Sequence, residues 1–198
     1  MCSEPLRAIA VTGGIATGKS TVADYLAERH GLPVFDADLF AREAVAPQTE
    51  ILQRIRDRYG RQIVLRDGSL HRRALGDIIF SDRAERQWLE AQIHPYVRDR
   101  LRQALDQLTI PTAAIVVPLL FEADMTDLAT EIWVVSCSEA QQLARLQARD
   151  ELESDLARAR IDTQMPLSAK IAAADVVLDN SSARDSLYAQ IDAALLHT

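Results

Sequence analysis

The chain has 198 residues and a formal net charge of -7, with 48% hydrophobic residues, enough to bury a full core in one domain or one domain with an inserted lobe. The acidic balance argues against a general nucleic-acid or anionic-membrane binder, either of which needs a basic face, and reads most simply as solubility. Two cysteines, Cys2 at the N-terminal end and Cys137, make neither a disulfide framework nor a metal-ligand cluster, which fits a reducing, cytoplasmic setting. No signal peptide is expected, because Glu4 and Pro5 interrupt the start. The longest apolar run, residues 113–121, contains Pro118 and is too short to span a bilayer.

In chain order, residues 6–12 form a short apolar run that predicts a buried strand. It leads into Gly13-Gly14-Ile15-Ala16-Thr17-Gly18-Lys19-Ser20, which fits the phosphate-binding pattern G-x-x-x-x-G-K-[ST]. Val22, Tyr25 and Leu26 follow at helical spacing, and Gly31 stands where a C-cap glycine belongs. The octet therefore lies between a strand and a helix, the context that gives it meaning. Gly13 and Gly18 let the backbone turn tightly and approach a ligand. Consecutive N–H groups and the helix N-terminus then favour an anion. Lys19 supplies a cation for the β- and γ-phosphates, the Ser20 hydroxyl suits Mg²⁺, and Thr21 continues the motif. A nucleoside triphosphate is the ligand expected.

A second short strand at residues 32–35 runs into Asp36-Ala37-Asp38. A helix from about Leu39 stops before Pro47, and Ile51, Leu52, Ile55 and Tyr59 mark another, closed by Gly60. Residues 63–65 read as a small extended piece before the Asp67-Gly68 turn. From Arg72 to Leu108 the pattern is helical, with breaks expected around Ser81-Asp82 and His94-Pro95 and a helix start at Asp82 with Glu85. Strands resume at residues 113–117 and 132–135. Ser138 with Gln141 predicts a capping box on the helix that carries Arg145 and Arg149. Residues 150–160 are densely charged, as a solvated helix or a mobile lid would be. Residues 175–178 predict a last strand. Ser182 and Asp185 then open a helix with Leu187, Ile191 and Leu195 on one face. The order predicts a parallel α/β sheet with helices on both faces and a helical block inserted after the second strand. That block, about 40–108, occupies the place of an acceptor-binding lobe by fold analogy. The core is then about 6–39 and 110–198, with a lid at about 145–165.

Several side chains carry two readings. Asp36 and Asp38 lie at the C-terminal end of the second strand, the edge that faces the ligand crevice. Either carboxylate could take the proton of an attacking hydroxyl, and Asp38 could equally be a helix N-cap. Arg145 and Arg149, four apart, share a helix face and suit phosphate oxygens, or are surface arginines among acids. His94-Pro95 is an acceptor contact or a helix break. The third strand ends in Pro118 with Glu122 as the nearest acid beyond it. Mg²⁺ would then be held by Ser20, phosphates and water, with Asp36 as a further candidate.

Taken together, the segments VTGGIATGKST at 11–21, FDADLFARE at 35–43, DGSLHRRAL at 67–75, IHP at 93–95 and VVPLLFE at 116–122 resemble the dephospho-coenzyme A kinase family. The likeness continues through QLARLQARD at 142–150, Gln164-Met165 with Lys170, and ADVVLDNS at 174–181, so it spans nearly the whole chain. The family's loop often has Gly-Ser where Ala16-Thr17 stand, and both replacements are small. The resemblance implies a three-layer P-loop NTPase fold with a helical acceptor-binding insert and a lid. It implies transfer of phosphate from ATP, with Mg²⁺, to the ribose 3′-hydroxyl of dephospho-coenzyme A, giving coenzyme A and ADP. It favours Asp38 as the base, places the acceptor near Arg72 and His94, makes Arg145 and Arg149 part of a lid, and puts Asn180 near the adenine. The partner expected is this small molecule alone, with no nucleic acid or membrane, bound by a monomer or weak homo-oligomer.

The nearest alternative is a nucleoside monophosphate or sugar kinase, which shares the core and differs in the acceptor lobe. A GTP-driven switch would need an N-K-x-D guanine motif, which this sequence lacks. The D-x-x-G at Asp57-Arg58-Tyr59-Gly60 falls at the end of a predicted helix, not after a strand, and reads as coincidence.

Overall fold

The computed structural model describes residues 6–196; Cys2, Glu4 and Pro5 lie outside them. The chain divides into two compact units, residues 1–36 with 105–198, and residues 37–104.

The first unit is built on five parallel strands in the order β2-β3-β1-β4-β5: β1 (Arg7–Gly13), β2 (Val34–Asp36), β3 (Thr112–Val116), β4 (Glu131–Ser136) and β5 (Val176–Asp179). β1 is central and buried from Ala8 onward, as its unbroken apolar run requires of a strand covered on both faces. Val11 pairs with Val116 on one side and Trp133 on the other. Successive strands after β1 fill one side of it and then the other. The connection therefore reverses at the C-terminal end of β1, where an open α/β sheet leaves its ligand crevice. Helix α1 (Lys19–His30) and the C-terminal helix α9 (Arg184–Leu196) bury Val22, Leu26, Leu187 and Ile191 against Ile9, Val11, Trp133 and Leu178. Between them Tyr25 stacks on Tyr188 with ring centroids 3.9 Å apart, and its hydroxyl donates to Asp192. The Gly31 cap has the left-handed φ of 64° expected of it.

The second unit is helical. Its elements are α2 (Ala37–Ala44), α3 (Glu50–Tyr59), α4 (Arg72–Ser81) and α5 (Arg83–Asp106), whose last residues leave the unit. Its core gathers Val45, Leu52, Ile55, Ile63, Leu70, Leu75 and Leu89. Thr49 caps α3 by accepting from the Leu52 N–H, and the His71 ring nitrogen Nδ1 caps α4 by accepting from Ala74. Asp82 accepts from the N–H groups of Ala84 and Glu85 and opens α5, as the sequence predicts. The small extended piece survives as one antiparallel bridge, Val64 to Leu70, around the Asp67-Gly68 turn.

Two expectations need correction. The helix does not break at His94-Pro95: α5 continues through Pro95 for 24 residues. A proline inside a helix removes one hydrogen bond and costs about 3 kcal/mol. Here Leu89, Val97 and Leu101 are buried along the same helix, and that packing outweighs the lost bond. Nor is Asp38 an N-cap. Helix α2 begins at Ala37, directly after β2, so Asp38 sits inside its first turn. Two helices follow α6 (Glu139–Asp150), namely α7 (Ser154–Asp162) in the charged stretch and the short α8 (Leu167–Ala172), for which the sequence carried no periodic signal. The Ser138–Gln141 capping box on α6 forms as expected. Among the described residues no helix is long and apolar enough to cross a membrane.

Candidate active site

The octet forms the turn between β1 and α1. Gly13 has a φ of 147°, and a Cβ there would run into the backbone carbonyl of Val135, so glycine is required twice over. Gly18 has a φ of 105°, and a Cβ there would occupy the place of the Asn180 amide. Ala16 also has a left-handed φ, 59°, although it carries a side chain. Alternation of left-handed with ordinary residues turns successive N–H groups into one concavity, the geometry of an anion nest. Thr17 is fully buried and its hydroxyl donates to the Gly14 carbonyl at 2.9 Å, so it braces the loop from inside. The Lys19 ammonium lies over the loop, 2.7 Å from the Gly14 carbonyl and 3.2 Å from that of Gly13. Ser20 is exposed one residue on, with Thr21 half-buried beside it. A cation, a hydroxyl and a backbone nest at one helix start fit a magnesium nucleotide phosphate.

The loop is held from outside by three amide side chains. Asn180 donates through Nδ2 to the Thr17 carbonyl at 2.8 Å. Gln142 on α6 donates to the Ile15 carbonyl, and Gln164 accepts from the Ile15 N–H. The expected place of Asn180 was beside the adenine; its bond to the Thr17 carbonyl, like the roles of Gln142 and Gln164, has no local signal in the sequence, where the two glutamines stand only within the matching stretches 142–150 and Gln164-Met165.

Arg145 and Arg149 share α6 but not an environment. Arg145 is half-buried and donates from Nη2 to the Asn180 carbonyl, while its Nη1 is buried with no hydrogen-bond partner. A guanidinium N–H left without a protein partner, on a side chain bonded to the residue that braces the loop, is a donor suited to an anionic ligand. Burial pushes the nearby Cys137 thiol up, against the opposing pull of Arg145. Arg149 is exposed and grips Asp150, which also receives Arg160; the Arg149 contact leads in holding the Asp150 carboxyl below its usual range.

Asp36 closes β2, paired with Val116, in the same unit as the loop. Glu122 is committed elsewhere: it accepts from the Met165 N–H and pairs with the fully buried Lys170 at 2.9 Å. Lys170 also donates to the Pro118 carbonyl. Among the described residues no three His, Cys, Asp or Glu side chains group as a metal cage.

In the helical unit, exposed Asp38 and Arg72 line one cavity of 290 Å³, together with Arg42. Its floor is apolar, from Val45, Leu70, Leu75, Leu89 and Ile93. His94 is not among the lining residues; burial pulls its pKa down against the opposing charge of Glu90. Arg42 was legible only as part of the 35–43 segment.

A phosphate loop at the switch point of a parallel sheet, with a helical unit inserted after β2, is the architecture of the P-loop kinases that act on small molecules. Solved structures agree. One from Thermus thermophilus, described as TT1252, matches with a TM-score of 0.81 at 34% identity, covering 98% of this chain and 97% of its own. A dephospho-CoA kinase from Campylobacter jejuni matches with a TM-score of 0.70 at 25% identity, covering 95% and 94%. A shikimate kinase from Acinetobacter baumannii, at 14% identity and a TM-score of 0.57, shares the fold alone. The family model described as dephospho-CoA kinase matches residues 7–185. The dephospho-CoA kinase of Trichormus variabilis is 57% identical over 96% of both chains, and that of Synechocystis sp. is 53% identical over the same shares. The chain belongs to the dephospho-CoA kinase family.

Proposed function

We infer that this enzyme transfers the terminal phosphoryl group of ATP to the ribose 3′-hydroxyl of dephospho-coenzyme A, giving coenzyme A and ADP. One observation carries the acceptor side: a cavity in the helical unit is lined by Asp38, Arg42 and Arg72 together with an apolar floor. An acid, two phosphate-binding cations and apolar surface suit a hydroxyl acceptor with phosphates and a long pantetheine arm.

On this reading the loop N–H groups and Lys19 hold the β- and γ-phosphates, and Arg145 meets the charge that develops on transfer. A bond forms between the acceptor 3′-oxygen and the γ-phosphorus while the bond to the bridging β-oxygen breaks. The hydroxyl proton passes to Asp38, with Asp36 as the next candidate. The Ser20 hydroxyl would hold Mg²⁺, which would supply neutralisation of the phosphate charge. Residues of about 145–165 act as the lid, Arg149 belongs to it, His94 contributes to the acceptor lobe, and Asn180 borders the adenine.

The test is a coupled ADP-release assay offering dephospho-coenzyme A, nucleoside monophosphates, shikimate and gluconate side by side. Turnover is expected with dephospho-coenzyme A far above the rest. Preference for a monophosphate or a sugar acid would overturn the assignment.

A further inference from the structure

The Ile15 peptides are held by two side chains. The N–H of Ile15 donates to Gln164 Oε1 at 2.8 Å, and its carbonyl accepts from Gln142 Nε2 at 2.9 Å. Two successive peptide groups at the crown of the loop are thus each fixed by a different glutamine. Gln142 comes from α6 and is only 4% exposed. Gln164 comes from the turn after α7, where its own N–H donates to the Ile161 carbonyl. The loop makes room for this arrangement: a Cβ on Gly14 would stand 2.5 Å from the Gln142 amide nitrogen. Gly14 has no left-handed φ, so its lack of a side chain answers to that close approach and not to backbone strain.

The next residue explains what the grip is for. Ala16 has a φ of 59°. A left-handed alanine is disfavoured because its Cβ crowds the following carbonyl, and it persists only where surrounding structure over-determines it. Peptide groups pinned immediately before Ala16 remove the freedom it would use to relax.

We propose that Gln142 and Gln164 are positioning residues, a two-sided clamp on the Ile15 peptides that holds Ala16 left-handed and so keeps the phosphate nest formed. The proposal rests on reading the octet as the nucleotide cradle, but not on the identity of the acceptor. The clamp also links the cradle to both ends of the segment between α6 and the turn after α7.

The experiment is a set of double-mutant cycles read by ADP affinity, measured by titration calorimetry on the full chain with Mg²⁺ present. Gln142→Met and Gln164→Met keep side-chain length and remove the hydrogen bond. Each is combined with Ala16→Gly, since glycine adopts the left-handed conformation without a Cβ clash. Melting temperatures are recorded for every variant. In the Ala16 background each Gln→Met change is expected to weaken ADP binding about five- to tenfold, the scale of one hydrogen bond. In the Ala16→Gly background the same changes are expected to cost about twofold or less. Equal losses in the two backgrounds, or no loss in either, would overturn the clamp. If buried Gln142→Met unfolds the protein, half-buried Gln164 carries the cycle alone. Wild-type protein that binds ADP without phosphorylating dephospho-coenzyme A overturns the acceptor assignment and leaves the clamp to be judged on the same affinities. Wild-type protein that binds no ADP overturns the cradle and the clamp together.

Discussion

Arg145 donates to the main-chain carbonyl of Asn180 at 2.9 Å, and that single bond ties helix α6 to the residue that braces the phosphate loop. It uses one end of the guanidinium and leaves the other, Nη1, buried and unpaired. Burial of such a donor is unfavourable unless a ligand oxygen meets it. The same helix carries Arg149 out to Asp150 in solvent. Two arginines that look equivalent by spacing are therefore predicted to differ in their effect on the reaction.

Arg145→Ala is expected to lower kcat by about 100-fold, the scale of losing one preorganised donor to developing charge, and to weaken resting ATP binding less. Arg145→Lys should rescue poorly because an ammonium cannot serve Asn180 and a phosphate oxygen as a fork does. Arg149→Ala should cost less in kcat than Arg145→Ala. Steady-state kinetics of the three variants decide it, and wild-type kcat in Arg145→Ala would return that residue to a structural brace.

Lys19→Ala should abolish turnover while leaving the protein folded. The ammonium contacts the carbonyls of Gly13 and Gly14, and its side chain is not part of the hydrophobic core. The comparison is kcat against the thermal melt. A folded variant with near-normal activity would sink the phosphate-loop assignment.

Asp38→Asn separates a proton acceptor from a structural acid. Loss of general-base assistance is worth about a hundred- to ten-thousand-fold in kcat, or roughly 3 to 5 kcal/mol of barrier. Since Asp38 lies in the first turn of α2 and does not cap it, the stability at stake includes a helix-dipole contribution of about 0.3–1 kcal/mol. The Asn variant is expected to melt close to wild type and to turn over slowly. Wild-type kcat would move the base to Asp36.

A pH prediction comes from the helical unit. Arg58 grips Glu85 through two bonds, at 2.6 and 2.8 Å, and the Tyr59 hydroxyl donates to the same carboxylate. Arg58 and then Tyr59 hold the Glu85 carboxyl at about 2, against an ordinary 4.5. A carboxyl lowered in the folded state adds stability that is fully present above about 4.5 and is lost as pH falls toward about 2. The melting temperature should therefore decline through that window, and less steeply in Glu85→Gln, which no longer titrates. Parallel acid limbs for the two proteins would refute the assignment.

Much of this molecule was legible in the sequence because its signals are local. The octet, its strand and its helix depend on residues that are neighbours in the chain, as do the Ser138–Gln141 box, the Gly31 cap and the strand ends. A phosphate loop is backbone geometry, and glycine spacing writes that geometry directly. The limits were equally physical. Pro95 reads as a break because local propensity says so, whereas burial of Leu89, Val97 and Leu101 on one helix overrides it. Asp38 reads as a cap as readily as a base because no local rule states that α2 starts without a linker after β2.

By itself the sequence determined the P-loop kinase fold, the family, and which cation and hydroxyl stand at the phosphate loop. Only the tertiary structure decided that Arg145 is half-buried while Arg149 is paired in solvent, that Glu122 belongs to Lys170, and that Gln142 and Gln164 close on Ile15. Those pairings join residues up to 149 positions apart. A side chain's partner across such a separation is set by how strands and helices stack, and composition, spacing and periodicity carry no record of that.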